Sequence, residues 1–236
     1  MTGQGKPWGV FATFALGTIA LFGGQFSGIA AVTGLYGLNL SQIPTISREG
    51  NAIVLFICVS APAQVVLLAA FAGLRGNVAT YLGYELPKRS EVLIGVAGLV
   101  ALIILGDAVS LLAGRSVVDR FQSDLYEGSK NANLFPLLLF AITVLIPIAE
   151  ESLFRGFLFR GWLTAPTRAW PVILITAGLF AIVHVQYDWF LIAQVFAFGV
   201  YFGWIRWATG STLLTMLLHG LVNLEGMAET LLTAGS

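Results

Sequence analysis

The feature of this sequence that most limits its fold is a succession of long apolar runs that recur from one end of the chain to the other. A run of roughly 20 apolar residues is long enough to cross about 30 Å of hydrocarbon as a helix. A helix is favoured there because it satisfies its own backbone hydrogen bonds, which lipid cannot do. Hydrophobic residues make up 57% of the 236 residues and charged residues 10%. We therefore predict an all-α, polytopic transmembrane helix bundle.

Counting the runs gives about seven spans, within a range of six to eight. The connection 34–51 is polar, and 76–90 has the composition of an interfacial stretch, with Tyr81 and Tyr84 expected in the headgroup region. Residues 115–133 carry most of the remaining charge and are expected to form a solvated loop or surface helix. The predicted spans are 8–32, 52–74, 91–113, 134–163, 170–186, 189–207 and 212–232.

Charge and cysteine content exclude several classes of function. The formal net charge is +0 and the chain has a pI near 6.7, so nothing favours a nucleic-acid partner. Cys58 is the only cysteine, which excludes an internal disulfide and a metal site built from several cysteines.

Several ionisable residues lie inside the apolar runs. A charged side chain at membrane depth costs at least a few kcal/mol, so such residues mark functional sites. Glu150 and Glu151 are adjacent and point about 100° apart on a helix, whereas Glu151 and Arg155 are four residues apart and share a face. Arg155 is thus placed to neutralise Glu151, either as a buried strut or beside an active site. Glu150 is left freer to take a proton from water.

The chain has two histidines, and both lie in predicted spans. The turn between the fourth and fifth spans centres near Thr167, with Glu150 seventeen residues before it and His184 seventeen residues after it. In an antiparallel hairpin the two side chains would meet about 25 Å from the turn at roughly 1.5 Å per residue. A carboxylate and an imidazole at one level inside a membrane would form a general acid–base pair.

The second histidine has a polar partner on its own helix. His219 and Asn223 are four residues apart and therefore face the same way. Two such hydrogen-bond donors in a site with little water can stabilise negative charge on a carbonyl oxygen, by about 3 kcal/mol each. Phe180, one turn before His184, is expected to pack against the wall of the site without a chemical role.

These residues fall into three motifs. Residues 150–155 match EExxxR, residues 180–184 match FxxxH and residues 219–223 match HxxxN. In this order the motifs resemble the CPBP family of intramembrane proteases, which includes type II CAAX prenyl endopeptidases and bacterial bacteriocin-processing and immunity proteins. The resemblance covers 134–224.

The resemblance implies hydrolysis of a peptide bond. Glu150, helped by His184, would activate a water molecule, while His219 and Asn223 would hold the oxyanion. Glu151 and Arg155 would shape the pocket and balance its charge. The chain would then divide into N-terminal transmembrane helices and loops, 1–133, and a catalytic helical core, 134–232. The expected partners are the lipid bilayer and a membrane-associated peptide or protein substrate, in a multi-pass protein of the bacterial plasma membrane.

Two questions stay open in the sequence. Glu150, His184 and His219 would suffice as three ligands of a catalytic divalent metal such as zinc, but a metal-free glutamate mechanism is slightly favoured. The alternatives to a protease are a non-catalytic membrane immunity or regulatory protein and a transporter with an intramembrane proton relay. Serine and two-aspartate mechanisms fit less well, because Ser152 lacks a nucleophile setting and Asp107 lacks a second aspartate.

Overall fold

The computed structural model describes residues 6–37 and 50–234, and within these ranges the chain is helical, without strands. A single 28-residue helix, α6, contains two π-helical stretches, Ala141–Leu145 and Ser152–Leu158. The helices are α1 (Val10–Tyr36), α2 (Gly50–Gly73), α3 (Val78–Leu82), α4 (Arg89–Leu112), α5 (Arg120–Asn131), α6 (Phe135–Trp162), α7 (Ala169–Ile182), α8 (Trp189–Thr209) and α9 (Thr212–Ala234).

The molecule is an all-α, multi-pass membrane protein. Within the described ranges, the five helices α1, α2, α4, α6 and α8 are long and apolar enough to cross a membrane. Helix α7 is apolar but has only 14 residues, and α9 has 23 residues and carries several polar side chains. With these two, the helices correspond to the seven predicted spans. Large apolar side chains such as Phe11, which is 91% exposed, cover the outer surface, as a lipid-facing surface requires.

Helix α6 occupies the centre of the bundle. It contacts α1, α2, α7, α8 and α9, and half of its most apolar stretch is buried, the largest share among the five long helices. The outer helices pack closely where side chains are small. A Cβ on Gly24 of α1 would lie 2.7 Å from the carbonyl oxygen of Ser60, so glycine lets α1 approach the backbone of α2.

Proline and π-helical geometry expose backbone carbonyls of α6. Pro147 has no N–H, so it cannot donate to a carbonyl in the preceding turn. The N–H of Ile146 bonds five residues back, to Ala141, as in a π-helix. In the second stretch the N–H of Phe159 donates to the carbonyls of Gly156 and Phe154, and Arg155 is passed over. Carbonyls freed in this way can accept hydrogen bonds from side chains of other helices.

The connection between α2 and α4 packs two tyrosines against the bundle. Tyr81 is buried, and its hydroxyl accepts a hydrogen bond from the N–H of Trp8 at 3.3 Å. The hydroxyl of Tyr84 lies 2.6 Å from that of Ser152. Each tyrosine thus has a hydrogen-bond partner inside the protein, and the expectation that this stretch lies at the depth of the lipid headgroups stays a prediction.

Two other connections can be compared with the sequence. The charged segment 115–133 forms the surface helix α5, which begins at Arg120 with the carboxylate of Asp119 accepting from the N–H of Phe121. Most of the predicted loop 34–51 lies outside the described residues, since 38–49 are not described.

The fifth span ends earlier than predicted. Helix α7 stops at Ile182, so His184 lies in the connection to α8 and not within a helix. The imidazole Nδ1 of His184 lies 2.7 Å from the carbonyl oxygen of Phe180, which the N–H of residue 184 would bond in a continuing helix. The backbone N–H of His184 bonds Ala181 instead. The side chain thus competes with its own backbone and ends the helix.

Candidate active site

Four predicted side chains line one cavity of about 360 Å³. Glu150 comes from α6, His184 from the connection after α7, and His219 and Asn223 from α9. The structure therefore brings together the acid, the two histidines and the amide from three separate parts of the chain. Residues of α2 and α5 complete the wall.

The second glutamate is paired away from the cavity. Glu151 and Arg155 are both fully buried, and the Arg155 Nη1 donates to Glu151 Oε1 at 2.8 Å. The Arg155 Nη2 donates to the carbonyl of Gly199 at 3.0 Å, and the guanidinium lies 4.5 Å from the ring centre of Phe180. A buried charge is tolerated when it is paired and hydrogen-bonded in this way. The predicted pairing of Glu151 with Arg155 is thus present.

His219 lies between the two glutamates. Its Nδ1 is 3.0 Å from Glu151 Oε1, and its Nε2 is 3.8 Å from Glu150 Oε2. Because an ionised carboxylate only accepts, Nδ1 carries a hydrogen and donates to Glu151. The remaining nitrogen, Nε2, faces Glu150. The imidazole is 5% exposed, so its orientation is fixed by these partners and by the stacked ring of Phe202.

His184 is oriented by a backbone carbonyl. The Phe180 oxygen at 2.7 Å can only accept, so the Nδ1 of His184 is the donor. In the neutral imidazole this leaves Nε2 without a hydrogen and able to accept one. The ring of Phe180 contacts His184, at 4.8 Å between ring centres, and also His219, at 5.7 Å. Phe180 thus packs against both histidines, as expected from the sequence.

Asn223 is held by the first π-helical stretch of α6. Its Nδ2 donates to the carbonyl of Ile142 at 2.7 Å, one of the carbonyls that the missing N–H of Pro147 leaves available. The amide of Asn223 thereby uses one of its two hydrogens on the protein and keeps the other. A Cβ on Gly220 would lie 2.5 Å from the carbonyl oxygen of Thr143, so α9 approaches α6 closely at this level.

A second cavity of about 170 Å³ adjoins the first. His184, His219, Asn223, Gln122 and Tyr187 line both cavities, so these side chains form the partition between them. The second cavity also contains the carboxylates of Asp107, Glu225 and Glu229, whose oxygens lie within 4.8 Å of one another. Asp107 therefore has acidic neighbours on α9, which its isolated position in the sequence did not reveal.

Sequence reasoning missed four residues that line the site. Gln64 of α2 is buried, lines the larger cavity and donates to the carbonyl of Ala149 at 2.9 Å, next to Glu150. Tyr187 lines both cavities and stacks on His184 with 6.0 Å between ring centres. Phe121 and Gln122 of α5 line the cavities, although this segment was expected only at the surface. Only Gln64 could have been found from the sequence, because a side-chain amide in an otherwise apolar span indicates a buried polar contact.

Ser152 has a structural role. Its hydroxyl donates to the carbonyl of Ile148, and the hydroxyl of Tyr84 then donates to Ser152. Neither histidine is hydrogen-bonded to it. The geometry gives no nucleophile–base pair at this serine.

The predicted metal ligands do not form a compact set. Among the described residues, Asp107, Glu225 and Glu229 are the only three His, Cys, Asp or Glu residues whose ligand atoms all lie within 4.8 Å of one another. Glu150, His184 and His219 do not meet this distance. The arrangement does not fit a three-ligand zinc site as it stands.

Fold and site together define the class: an integral, multi-pass helical membrane protein with a glutamate–histidine cluster in a cavity between its helices. Residues 132–224 match the family model described as Rce1-like, type II CAAX prenyl endopeptidase. All three motifs lie in this segment, so the predicted family resemblance is confirmed over it.

One curated relative also matches. A protein of Escherichia coli described as an uncharacterized 24.3 kDa protein is 32% identical over 122 residues. The aligned region is 51% of this chain and 54% of that protein, so the match spans about half the length of either. No solved structure matches this chain.

Proposed function

We propose that the protein is an intramembrane endopeptidase that hydrolyses a peptide bond of a membrane-associated protein or peptide. The observation that carries this proposal is the convergence of Glu150, His184, His219 and Asn223 on one cavity, with the charge of Glu151 neutralised beside it. The family match over 132–224 supports peptide hydrolysis as the reaction.

Glu150 is the proposed general base. Its Oε2 is buried and has no hydrogen-bond partner among the described residues, so a water molecule in the cavity can donate to it. The Nε2 of His184 accepts the second hydrogen of that water. As the water oxygen bonds to the carbonyl carbon, one proton passes to Glu150 and the carbonyl π electrons move to oxygen. Fixed acceptors of this kind typically contribute about 10²–10⁴-fold to a rate.

His219 and Asn223 are the proposed oxyanion donors. With hydrogens on both ring nitrogens, His219 would donate through Nε2 while Nδ1 stays on Glu151, and Asn223 would donate its second amide hydrogen. Arg155 and Glu151 act through His219 and are positioning residues.

Collapse of the tetrahedral intermediate completes the reaction. The electron pair on the oxyanion re-forms the carbonyl, the carbon–nitrogen bond breaks, and the proton held by Glu150 passes to the leaving amine. The new carboxyl group and the amine then leave the cavity, and the charge of Glu150 is restored. No step needs a group that the chain does not supply besides water.

We propose this mechanism without a metal, because the ligand atoms of Glu150, His184 and His219 share a cavity but do not all lie within 4.8 Å of one another. Purified protein should contain no stoichiometric zinc and should keep its cleavage activity in a chelator. Activity lost in the chelator and restored by zinc would overturn this assignment.

We also propose that the two parts of the chain have different roles. Residues 134–232 would carry the chemistry, and 1–133 would supply transmembrane helices and loops, with the site in a bacterial plasma membrane. Gln64 shows one contact between the two parts, since its amide holds the carbonyl that precedes Glu150.

The proposal is tested by the protein termini present in membranes. Cells producing the wild-type protein should contain newly formed termini that are lost when Glu150→Gln or His184→Ala replaces it. Mass spectrometry of terminal peptides from the membrane fraction measures this directly. The first variant removes the base without changing its shape, and the second removes the imidazole from a residue that lies outside any helix.

Glu127→Gln is the matched control, because Glu127 is an exposed residue of α5 away from both cavities. It should leave the termini unchanged. If the two site variants also leave them unchanged while inserting normally, the protein is no protease. A non-catalytic immunity or regulatory protein, or a transporter with a proton relay, would then explain the polar cluster.

A further inference from the structure

The proposed oxyanion donors are partly committed to the protein. His219 uses its Nδ1–H on Glu151, and Asn223 uses one amide hydrogen on Ile142. His219 can donate to substrate only when protonated, and Asn223 has one hydrogen left. A third hydrogen-bond donor in the partition between the two cavities would therefore add to the stabilisation of negative charge on the oxygen of the scissile carbonyl.

Tyr187 has the required position. It lines both cavities together with His184, His219 and Asn223. Its ring lies nearly parallel to that of His184, at 12° with 6.0 Å between ring centres, and edge-on to Phe121, at 88° and 6.0 Å. These two contacts fix the ring plane, and a fixed ring carries its hydroxyl at a fixed distance from the histidine.

The surroundings of Tyr187 keep its proton in place. Burial, together with the carboxylates of Asp119 and Glu150, raises the pKa of Tyr187 to about 12, although a hydrogen bond with the side chain of Gln186 opposes the shift. The phenol is therefore a neutral donor across the whole physiological range. An uncharged donor next to Glu150 does not neutralise the general base, as a lysine would.

We propose that Tyr187 is a catalytic residue that donates its phenolic O–H to the oxygen of the scissile carbonyl. This inference rests on the proposed function of the site. When water adds to the carbonyl carbon, the π electrons move to oxygen and that oxygen accepts the hydrogen bond from Tyr187. Tyr187 keeps its proton throughout, so the proton balance between water, Glu150 and the leaving amine is unchanged.

Tyr187→Phe is the decisive variant, because it keeps the ring contacts with His184 and Phe121 and removes only the hydroxyl. Loss of one oxyanion donor lowers kcat by about 10²-fold, and KM should change little. The probe is a synthetic peptide spanning a Glu150-dependent cleavage site, presented with purified protein in phosphatidylethanolamine–phosphatidylglycerol vesicles. Tyr201→Phe is the control, since the hydroxyl of Tyr201 bonds the carbonyl of Gly95 at 2.6 Å, away from both cavities.

The outcomes separate this inference from the proposed function. Cleavage by wild type and Tyr201→Phe, with kcat reduced for Tyr187→Phe at unchanged thermal stability, supports the role of Tyr187. Equal kcat for wild type and Tyr187→Phe overturns it and leaves the protease proposal standing. A kcat loss that accompanies a lower thermal midpoint indicates a packing role and also overturns it. If no Glu150-dependent cleavage exists in membranes, both fail.

Discussion

At the scale of single residues, Glu151 and Glu150 show how burial separates two neighbouring carboxylates. Glu151 has no exposed surface and shares a hydrogen bond with Arg155 and another with His219. Glu150 reaches the cavity with a quarter of its side chain exposed. The adjacent residues thus differ in solvent access, and the proposed structural role of Glu151 and chemical role of Glu150 rest on this difference.

Removing Glu151 should mainly impair folding. In Glu151→Ala the guanidinium of Arg155 stays buried without its partner, and breaking a buried pair in this way costs about 3–5 kcal/mol. We expect a low yield of folded protein and a lower thermal midpoint in detergent. The double variant Glu151→Ala/Arg155→Met removes the unpaired charge and should recover much of that stability.

Normal yield and stability of Glu151→Ala, together with complete loss of cleavage, would contradict the structural role. Glu151 would then belong to the reacting groups. Failure of the double variant to regain stability would show that the carboxylate, and not the orphaned cation, was the more important partner.

From the sequence we could predict which residues share one face of a helix, because residues four apart on a continuous helix point the same way. Glu151 and Arg155, and His219 and Asn223, are four residues apart on continuous helices, and the structure keeps each pair on one face. Tyr187 escaped prediction because it lies in an irregular connection, where spacing does not fix direction. The commitments of the His219 and Asn223 hydrogens also depend on partners 68 and 81 residues away, which no local pattern shows.

At the scale of elements, helix α6 lies at the centre of the bundle, and side chains of neighbouring helices form hydrogen bonds with its backbone carbonyls. Side chains of three other helices donate to its carbonyls: Gln64 to Ala149, Asn223 to Ile142, and Arg206 to Arg155 at 3.0 Å. Two of these carbonyls lie within the π-helical stretches. Such local widening of a helix is frequent at functional sites, because it frees backbone groups.

Gly220→Ala tests the contact of α9 with α6. The added Cβ would lie 2.5 Å from the Thr143 carbonyl oxygen, a backbone atom, so α9 must move away. Overpacking of this kind costs about 1–3 kcal/mol, and the movement should also weaken the bond from Asn223 to Ile142. We expect a lower thermal midpoint and a reduced rate of cleavage.

Gly178→Ala is the matched control for this substitution. Gly178 is also inside a helix, α7, but nothing lies within 4 Å of a Cβ built there. Alanine should be neutral or stabilising by up to about 1 kcal/mol at that position. Equal effects of the two substitutions would contradict a close approach of α9 to α6.

The apolar pattern predicted the long helices well and their details poorly. Helices α8 and α9 begin at the predicted residues, Trp189 and Thr212. The early end of α7 arises from the bond of His184 to Phe180, a side-chain effect that hydropathy does not register. The π-helical stretches likewise depend on Pro147 and on donors from distant helices, so composition alone could not indicate them.

At the scale of the whole molecule, the chain has a lipid-facing apolar exterior around a polar interior. The two cavities lie on either side of the partition that contains both histidines, and α5 contributes Gln122 to it from the surface. The N-terminal helices are part of this arrangement. Gln64 lies outside the segment 132–224 that matches the family, yet it is buried in the wall beside Glu150. The segment that matches the family therefore contains all three motifs but not every residue that lines the cavity.

Hydrolysis by the purified protein in lipid vesicles tests the role of the Glu150–His184 pair most directly. The substrate is the peptide spanning a Glu150-dependent terminus, and the measured quantity is the new carboxyl-terminal fragment, detected by mass spectrometry. Wild type should release it, whereas Glu150→Gln and His184→Ala should release it at least about 10²-fold more slowly although both are folded. Equal release by all three proteins would contradict the assignment of this pair to the activation of water.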